Sequence, residues 1–370
     1  MSYFFLDGYE NMETYNPGEQ PHDRPYIKLN ANESSYPPSP AVTEAISSVE
    51  INNMAYYEDP YNTKLRETIG AVYGFPKEQI FVGNGADEVI AFIMMSFFRE
   101  GFAIASNDVT YDFYRTYAQT FHLDYKKIPV KEDFTTDVDA FVNCGCDVIL
   151  ANPNNPTGKA IPMSDVERIV AKDPKRLVIV DEAYVDFGGE SCLPLVDKYP
   201  NIIVVQTYSK SRNMAGARIG FGIANKDIID DMRNVKFCVS PFNLNSLSQA
   251  IGIAAIQDEK YYSDCIEKVI GSRRYFETEL IRMGFSIVPT VTNFVLFKAA
   301  PLIPADLMTQ KLKEHGILVR YFGFEPRMRD YVRVTIGKQA EMELVVRNMK
   351  EILEEFREEK AAAIERRAAS

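Results

Sequence analysis

The chain is 370 residues long, with 46% hydrophobic and 25% charged residues, proportions of an ordinary soluble globular protein with material for one large core or two unequal ones. Its formal net charge of −11 argues against non-specific binding to nucleic acid or anionic membrane. An anionic ligand must therefore meet a few placed arginines and helix N-termini. Five scattered cysteines, Cys144, Cys146, Cys192, Cys238 and Cys265, suit a reducing cytosol better than a disulfide framework. Three histidines far apart in sequence make a zinc site a poor expectation, and Cys144-Gly-Cys146 has no second cluster to complete a metal set.

The start, Met1–Gly8, has neither the basic n-region nor the long apolar stretch of a signal peptide, and the longest apolar runs are strand-sized rather than membrane-spanning. The first forty-odd residues, rich in Pro, Asn and Tyr, read as an extended arm. Short apolar runs then predict strands at Gln79–Val82, Phe102–Ala105, Asp147–Leu150, Leu177–Val180, Asn201–Gln206 and Arg218–Ile223. Helical patterns such as Asp87–Phe98 and Ser164–Ala171 lie between several of them. Apolar strands alternating with helices predict an α/β fold with a mostly parallel sheet covered on both faces. Asp258–Met283 reads as one long connecting helix. Beyond it, strands at Phe285–Phe297, Ile317–Phe322 and Tyr331–Ile336 and a helix over Glu341–Glu359 form a smaller α+β unit. The tail Ala361–Ser370 reads as frayed. The expected division is residues 1–45 as an arm belonging to the small domain, 46–270 as the large domain, and 271–370 as the small one.

In such folds ligands gather beyond the carboxyl ends of the strands, where the notable polar residues fall. Lys210 follows the run Asn201–Gln206, flanked by Thr207, Ser209 and Ser211, with Arg218 eight residues on. A desolvated lysine near small hydroxyls and a cation suits a Schiff-base enzyme that holds a phosphorylated aldehyde. On its own, though, a strand-end lysine before a Gly turn is the commoner case. Asp181 closes Leu177–Val180 and is either a loop cap or the partner of a pyridinium nitrogen, with Tyr184 placed to reach a phenolic oxygen. Asn152–Gly158 is a turn by composition, and a ligand-directed Asn155 is the added reading. Gly83–Glu88 joins strand to helix and either binds phosphate through free backbone N–H groups and the helix dipole or is a strand–helix turn with Asp87 near the N-cap; Glu88 breaks the G-x-G-x-x-G pattern. Tyr111 is a stacking candidate or a core aromatic. Arg320 and Arg333, embedded in apolar strands, either form internal ion pairs or read a carboxylate or phosphate. Arg327 is a candidate for the site's edge.

The ordered set Asn152–Gly158, Asp181-Glu-Ala-Tyr184, Ser209-Lys210 and Arg218 resembles the fold-type I pyridoxal-phosphate (PLP) aminotransferases. The likeness extends to Tyr15-Asn-Pro-Gly18 and Lys28–Glu33, and the segments Leu29-Asn-Ala-Asn-Glu33 and Val319-Arg-Tyr-Phe322 favour the histidinol-phosphate family. This resemblance covers nearly the whole chain. It implies that Lys210 bonds to the cofactor and carries a proton, that Asp181 meets the ring nitrogen, and that Asn155 and Tyr184 bind the phenolic oxygen. It further implies that Tyr111 stacks on the ring, while Ala86, Asp87, Ser209 and Arg218 hold its phosphate. Arg333 and Asn155 would contact the substrate, with Tyr15 and Arg320 near a distal phosphate. The resemblance also implies a cytoplasmic homodimer in which Tyr57 reaches the neighbouring subunit's phosphate. Here Glu58 stands where those proteins usually carry proline, and Ser34–Pro38 replaces the usual Asn-Pro-Tyr-Gly-Pro. The expected reaction is transamination between histidinol phosphate and 2-oxoglutarate. Rivals are an aromatic amino acid aminotransferase, a threonine-phosphate decarboxylase and a non-enzymatic ligand sensor; the last would require a DNA-binding module, and the sequence shows no helix-turn-helix segment or basic patch.

Overall fold

The computed structural model describes residues 17–46 and 54–368, together with 3, 4, 12, 14, 15 and 52. Most of Met1–Gly8 and Asn16 of the Tyr15–Gly18 motif lie outside the described residues. The strands, in chain order, are β1 (Ile27–Lys28), β2 (Ile80–Gly83), β3 (Ala103–Asn107), β4 (Asp124–Ile128), β5 (Asp147–Ala151), β6 (Val178–Asp181), β7 (Ile202–Thr207), β8 (Gly220–Ala224), β9 (Ser286–Val288), β10 (Phe294–Lys298), β11 (Ile317–Leu318), β12 (Arg320–Tyr321) and β13 (Tyr331–Thr335).

Seven of them form one sheet in the order β2-β8-β7-β6-β5-β3-β4, parallel throughout except for β8, which runs against both neighbours. Successive strand residues face opposite sides, so one sheet feeds two cores. Val148, Leu150, Val178, Val180 and Val204 enter one apolar cluster, whereas Ile149, Ile179, Ile203 and Val205 enter the other. Burial on both faces explains why these strands read as unbroken apolar runs. The edge strand β4, Asp-Tyr-Lys-Lys-Ile, is largely exposed and carries no such run. Charged residues at a sheet edge also discourage pairing with other chains.

A second sheet, β12-β13-β10-β9, is antiparallel throughout. Its core gathers Phe294, Val295, Phe297, Val332 and Val334 with Met342, Val345, Met349 and Ile352 from the helix Gln339–Ala368. The helix Glu259–Arg282 supplies Phe276 and Leu280 to the same cluster. Three expectations change here. Phe285–Phe297 is two strands, β9 and β10, paired with each other. Ile317–Phe322 also divides: β11 pairs in parallel with β1, and β12 joins β13. The tail expected to fray continues the last helix to Ala368.

The arm is stitched into the second unit. Leu29 N–H donates to the Leu318 carbonyl at 2.8 Å, and Thr335 N–H donates to the Leu29 carbonyl at 2.9 Å. Asn32 sits in the left-handed region with φ 54°, a conformation asparagine tolerates better than most residues. There its backbone N–H donates to Thr335 Oγ1 at 3.0 Å, and Thr335 returns a hydrogen bond to Asn32 Oδ1 at 3.1 Å.

Candidate active site

Strands β5, β6 and β7 end side by side and deliver Asn152–Gly158, Asp181 and Lys210 to one edge of the large sheet. There they line a cavity of about 370 Å³, closed from the other side by the arm and by Arg320, Phe322 and Arg333. Every predicted site residue except Tyr57 and the edge candidate Arg327 lines it.

Lys210 Nζ donates to the Ala31 carbonyl at 3.1 Å and lies 5.9 Å from the centre of the Tyr184 ring. Burial, with the Arg333 charge adding to it, draws the amine down to about 8, so a neutral nucleophile is accessible near physiological pH. Asp181, only 6% exposed, accepts from Tyr114 Oη at 2.7 Å and from the Ala183 N–H at 3.1 Å. Burial nonetheless pushes this carboxyl up to about 6. Tyr184 Oη accepts from Asn32 Nδ2 at 2.9 Å, and burial lifts the phenol to about 12.

A second corner is built for an anion. Ala86 and Asp87 open the helix Ala86–Phe97, whose first N–H groups lack intrahelical acceptors. Arg218, itself left-handed at φ 51°, reaches Asp87 Oδ2 at 3.1 Å. Thr207 Oγ1 donates to Ser209 Oγ at 3.0 Å beside it. Glycine is required twice here, at Gly85 by its positive φ against the Arg218 side chain and at Gly220 by close backbone approach. A Cβ on Gly85, where φ is 90°, would stand 2.4 Å from Arg218 Nη2, and one on Gly220 would stand 2.3 Å from the Ala86 nitrogen.

At the opposite end Arg333, 6% exposed, donates through Nη1 to Asn155 Oδ1 at 2.5 Å and through Nη2 to the Asn30 carbonyl at 2.9 Å. Its Nε has no hydrogen-bond partner, and no described carboxylate comes within ion-pairing distance. Phe294 and Phe322 lie against the guanidinium at 5.3 and 5.4 Å, and burial lowers it to about 10. A desolvated cation without a counter-ion is a strong receptor for an anionic ligand. Arg320 donates to the Pro17 carbonyl at 3.3 Å, and Tyr15 stands edge-on to Tyr111 at 5.6 Å. Tyr111 Oη reaches Asp87 Oδ1 at 3.3 Å, and burial raises this phenol.

Tyr57 lies away from this cavity, 82% exposed and stacked on Phe242 at 4.5 Å. Arg327, considered for the edge, pairs instead with Asp108 at 3.3 Å and donates to the Val130 and Lys131 carbonyls. Two contributors escaped the sequence reading. Tyr114 lies in the short helix Phe113–Thr120, where an aromatic reads as core, and Asn32, although inside Lys28–Glu33, had no assigned contact.

The geometry is that of an enzyme site assembled around a strand-end lysine, and similarity agrees. The model of aminotransferase class I and II matches residues 24–349. The chain belongs to the class I and II aminotransferase family. It is 41% identical to the histidinol-phosphate aminotransferase of Brachyspira hyodysenteriae over 95% of this chain and 99% of that one. It is equally 41% identical to that of Clostridium acetobutylicum, over 95% and 100%. Among solved structures, the histidinol-phosphate aminotransferase of Sinorhizobium meliloti in complex with pyridoxal-5'-phosphate superposes with a TM-score of 0.85, at 23% identity over 96% of this chain and 99% of that one.

Proposed function

We propose that this chain is a PLP-dependent aminotransferase that exchanges amino groups between histidinol phosphate and 2-oxoglutarate. The observation that carries the reading is one cavity holding a depressed lysine, a buried carboxylate at a strand end and a guanidinium with no counter-ion among the described residues. The residues fit the cofactor's polar groups. Asp181 would face the ring nitrogen, Tyr184 and Asn155 the phenolic oxygen, and Tyr111 the ring face. The Ala86–Asp87 N–H groups, Ser209 and Arg218 would take the phosphate.

When bound, PLP supplies an aldehyde and an electron-withdrawing ring that stabilises charge on the substrate carbon. The chain supplies the rest. Lys210 Nζ, neutral in part near pH 8, acts first as nucleophile and then accepts and returns the substrate proton. Asp181 holds a proton on the ring nitrogen, and Tyr114 orients that carboxylate. Arg333, with Arg320 nearby, receives the anionic group of the substrate, which makes a carboxylate and a phosphate ester both acceptable.

The same reading includes a homodimer, with Tyr57 reaching the partner's cofactor phosphate. Its support is the exposed aromatic group Tyr56, Tyr57, Tyr61 and Phe242. It also includes the division into a large unit through residue 270 and a small one completed by the arm, and residence in the cytoplasm. No helix among the described residues is long and apolar enough to cross a membrane.

Single-turnover titration of the PLP-loaded protein with histidinol phosphate, glutamate and phenylalanine tests the reading. Spectral conversion by histidinol phosphate and glutamate is expected. Conversion by phenylalanine and glutamate only would replace the substrate assignment with an aromatic one. Borohydride reduction should fix a cofactor-sized mass on the Lys210 peptide, and full turnover by Lys210→Ala would overturn the chemistry.

A further inference from the structure

The sequence Cys144-Gly-Cys146 has no part in the cavity. It sits in the turn before β5, whereas the cavity lies beyond the last residue of that strand, so the pair occupies the opposite edge of the sheet. Gly145 is exposed and left-handed at φ 68°, Cys144 is half-buried and Cys146 is buried. Cys144 Sγ approaches the Cys146 carbonyl oxygen at 3.5 Å. Arg176, 5% exposed, points Nη1 at the same sulfur from 3.7 Å.

That arginine already donates to the Phe141 and Val142 carbonyls, through the same Nη1, and to the Ile169 carbonyl. Its Nε has no partner, and no described carboxylate lies within ion-pairing distance of it. A buried guanidinium with no counter-ion beside a reachable thiol is a setting that favours the thiolate. The other charges facing the pair are Lys126 on β4 and Asp147, the first residue of β5. The contact with Cys146 and the Arg176 charge both favour the Cys144 thiolate. Arg176 points at Cys144, which is half-buried, while Cys146 is buried, so Cys144 is suited to attack and Cys146 to resolve.

We propose that Cys144 and Cys146 form a redox-active dithiol that small-molecule disulfides convert reversibly to an internal Cys144–Cys146 disulfide. In the first step the Cys144 thiolate attacks one sulfur of the disulfide and expels a thiolate. In the second, Cys146 loses its proton and attacks the Cys144 sulfur, expelling the other thiolate. Two protein thiols are oxidised and one disulfide is reduced to two thiols. Closure of a ring this small is strained, which keeps the bond easily reduced.

The test uses the full-length, PLP-loaded enzyme equilibrated in glutathione buffers of increasing oxidised fraction, then alkylated and digested with trypsin. Residues 132–159 form a single tryptic peptide containing both cysteines and no other. Loss of two hydrogens from that peptide, reversed by reduced glutathione, is expected. In Cys146→Ser the glutathione adduct should instead accumulate on Cys144. In the untreated enzyme, the alkylation rate of Cys144 should level off at lower pH than that of free N-acetylcysteine in the same buffer. A peptide that stays in the dithiol form, with Cys144 and N-acetylcysteine alkylated on parallel pH profiles, overturns the proposal.

Discussion

Replacing Tyr114 by Phe removes one oxygen and tests how the floor of the cavity holds its charge. Burial lifts Asp181 from its ordinary 3.8 to about 6, a difference worth about 3 kcal/mol. The folded chain therefore binds this proton more tightly than the unfolded chain. The group's contribution to stability is greatest below about pH 4, falls as pH rises to about 6, and is constant above that. Tyr114 Oη, at 2.7 Å, opposes the rise by donating to the ionised form. A hydrogen bond to a charged acceptor contributes about 1.5–3 kcal/mol and one to a neutral acceptor about 0.5–1.5 kcal/mol. Tyr114→Phe should thus cost about 1 kcal/mol more at pH 8 than at pH 5, and the Asp181 midpoint should move up by close to one pH unit. For a chain of this length that is a further melting-temperature loss of about 1–2 °C at the higher pH. Melting the cofactor-free wild type, Tyr114→Phe, Asp181→Asn and the double variant from pH 4.5 to 8.5 measures it. Glu182, which burial also raises, to about 7, is present in all four and cancels. A Tyr114→Phe offset that is the same at every pH, or that persists in the Asp181→Asn background, would refute the reasoning.

Arg333→Met should lower kcat/KM for glutamate by about 10²- to 10³-fold, mostly through KM, because the loss of a buried charge pair costs about 2–5 kcal/mol; an unchanged KM would place the carboxylate elsewhere. The association rate of PLP with the cofactor-free protein should rise with pH through about 8 as Lys210 loses its proton. In Arg333→Met that midpoint should move upward, since one of the charges lowering Lys210 is gone; stopped-flow absorbance reads both. Gly85→Ala, whose Cβ would lie 2.4 Å from Arg218 Nη2, should raise the PLP dissociation constant about tenfold or more while far-UV circular dichroism stays unchanged.

The strands of the large sheet were legible because burial on both faces writes itself as a continuous apolar run, and each such run became a strand within a residue or two. The same logic hid β4, since an exposed edge strand such as Asp124–Ile128 needs no apolar pattern. Ile317–Phe322 was legible as extended chain but not as two strands, because its division depends on Ile27–Lys28, nearly 300 residues earlier, taking one half. Lys210, Asp181, Asn155 and Arg218 stood out as polar groups at strand ends and as an ordered motif. Tyr114 did not, because an aromatic inside a helix is indistinguishable from core until the carboxylate opposite it is placed. For Arg333, burial in an apolar strand was readable, whereas the lack of a counter-ion among the described residues is visible only in three dimensions.

The stitching of the arm to β13 has a consequence for how the molecule is made. Asn32 is synthesised well before its partner Thr335, which lies 303 positions later. Asn30, Ala31 and Asn32 touch Arg333, Lys210 and Tyr184, so this wall of the cavity cannot be completed until β13 has been made. The large sheet can assemble during synthesis, but a nascent chain stopped before residue 335 would have the lysine without its enclosure. Cofactor capture in this enzyme should therefore wait for β13, and a C-terminal truncation ending before β13 should lose the site while leaving most of the large sheet's strand pairings in place.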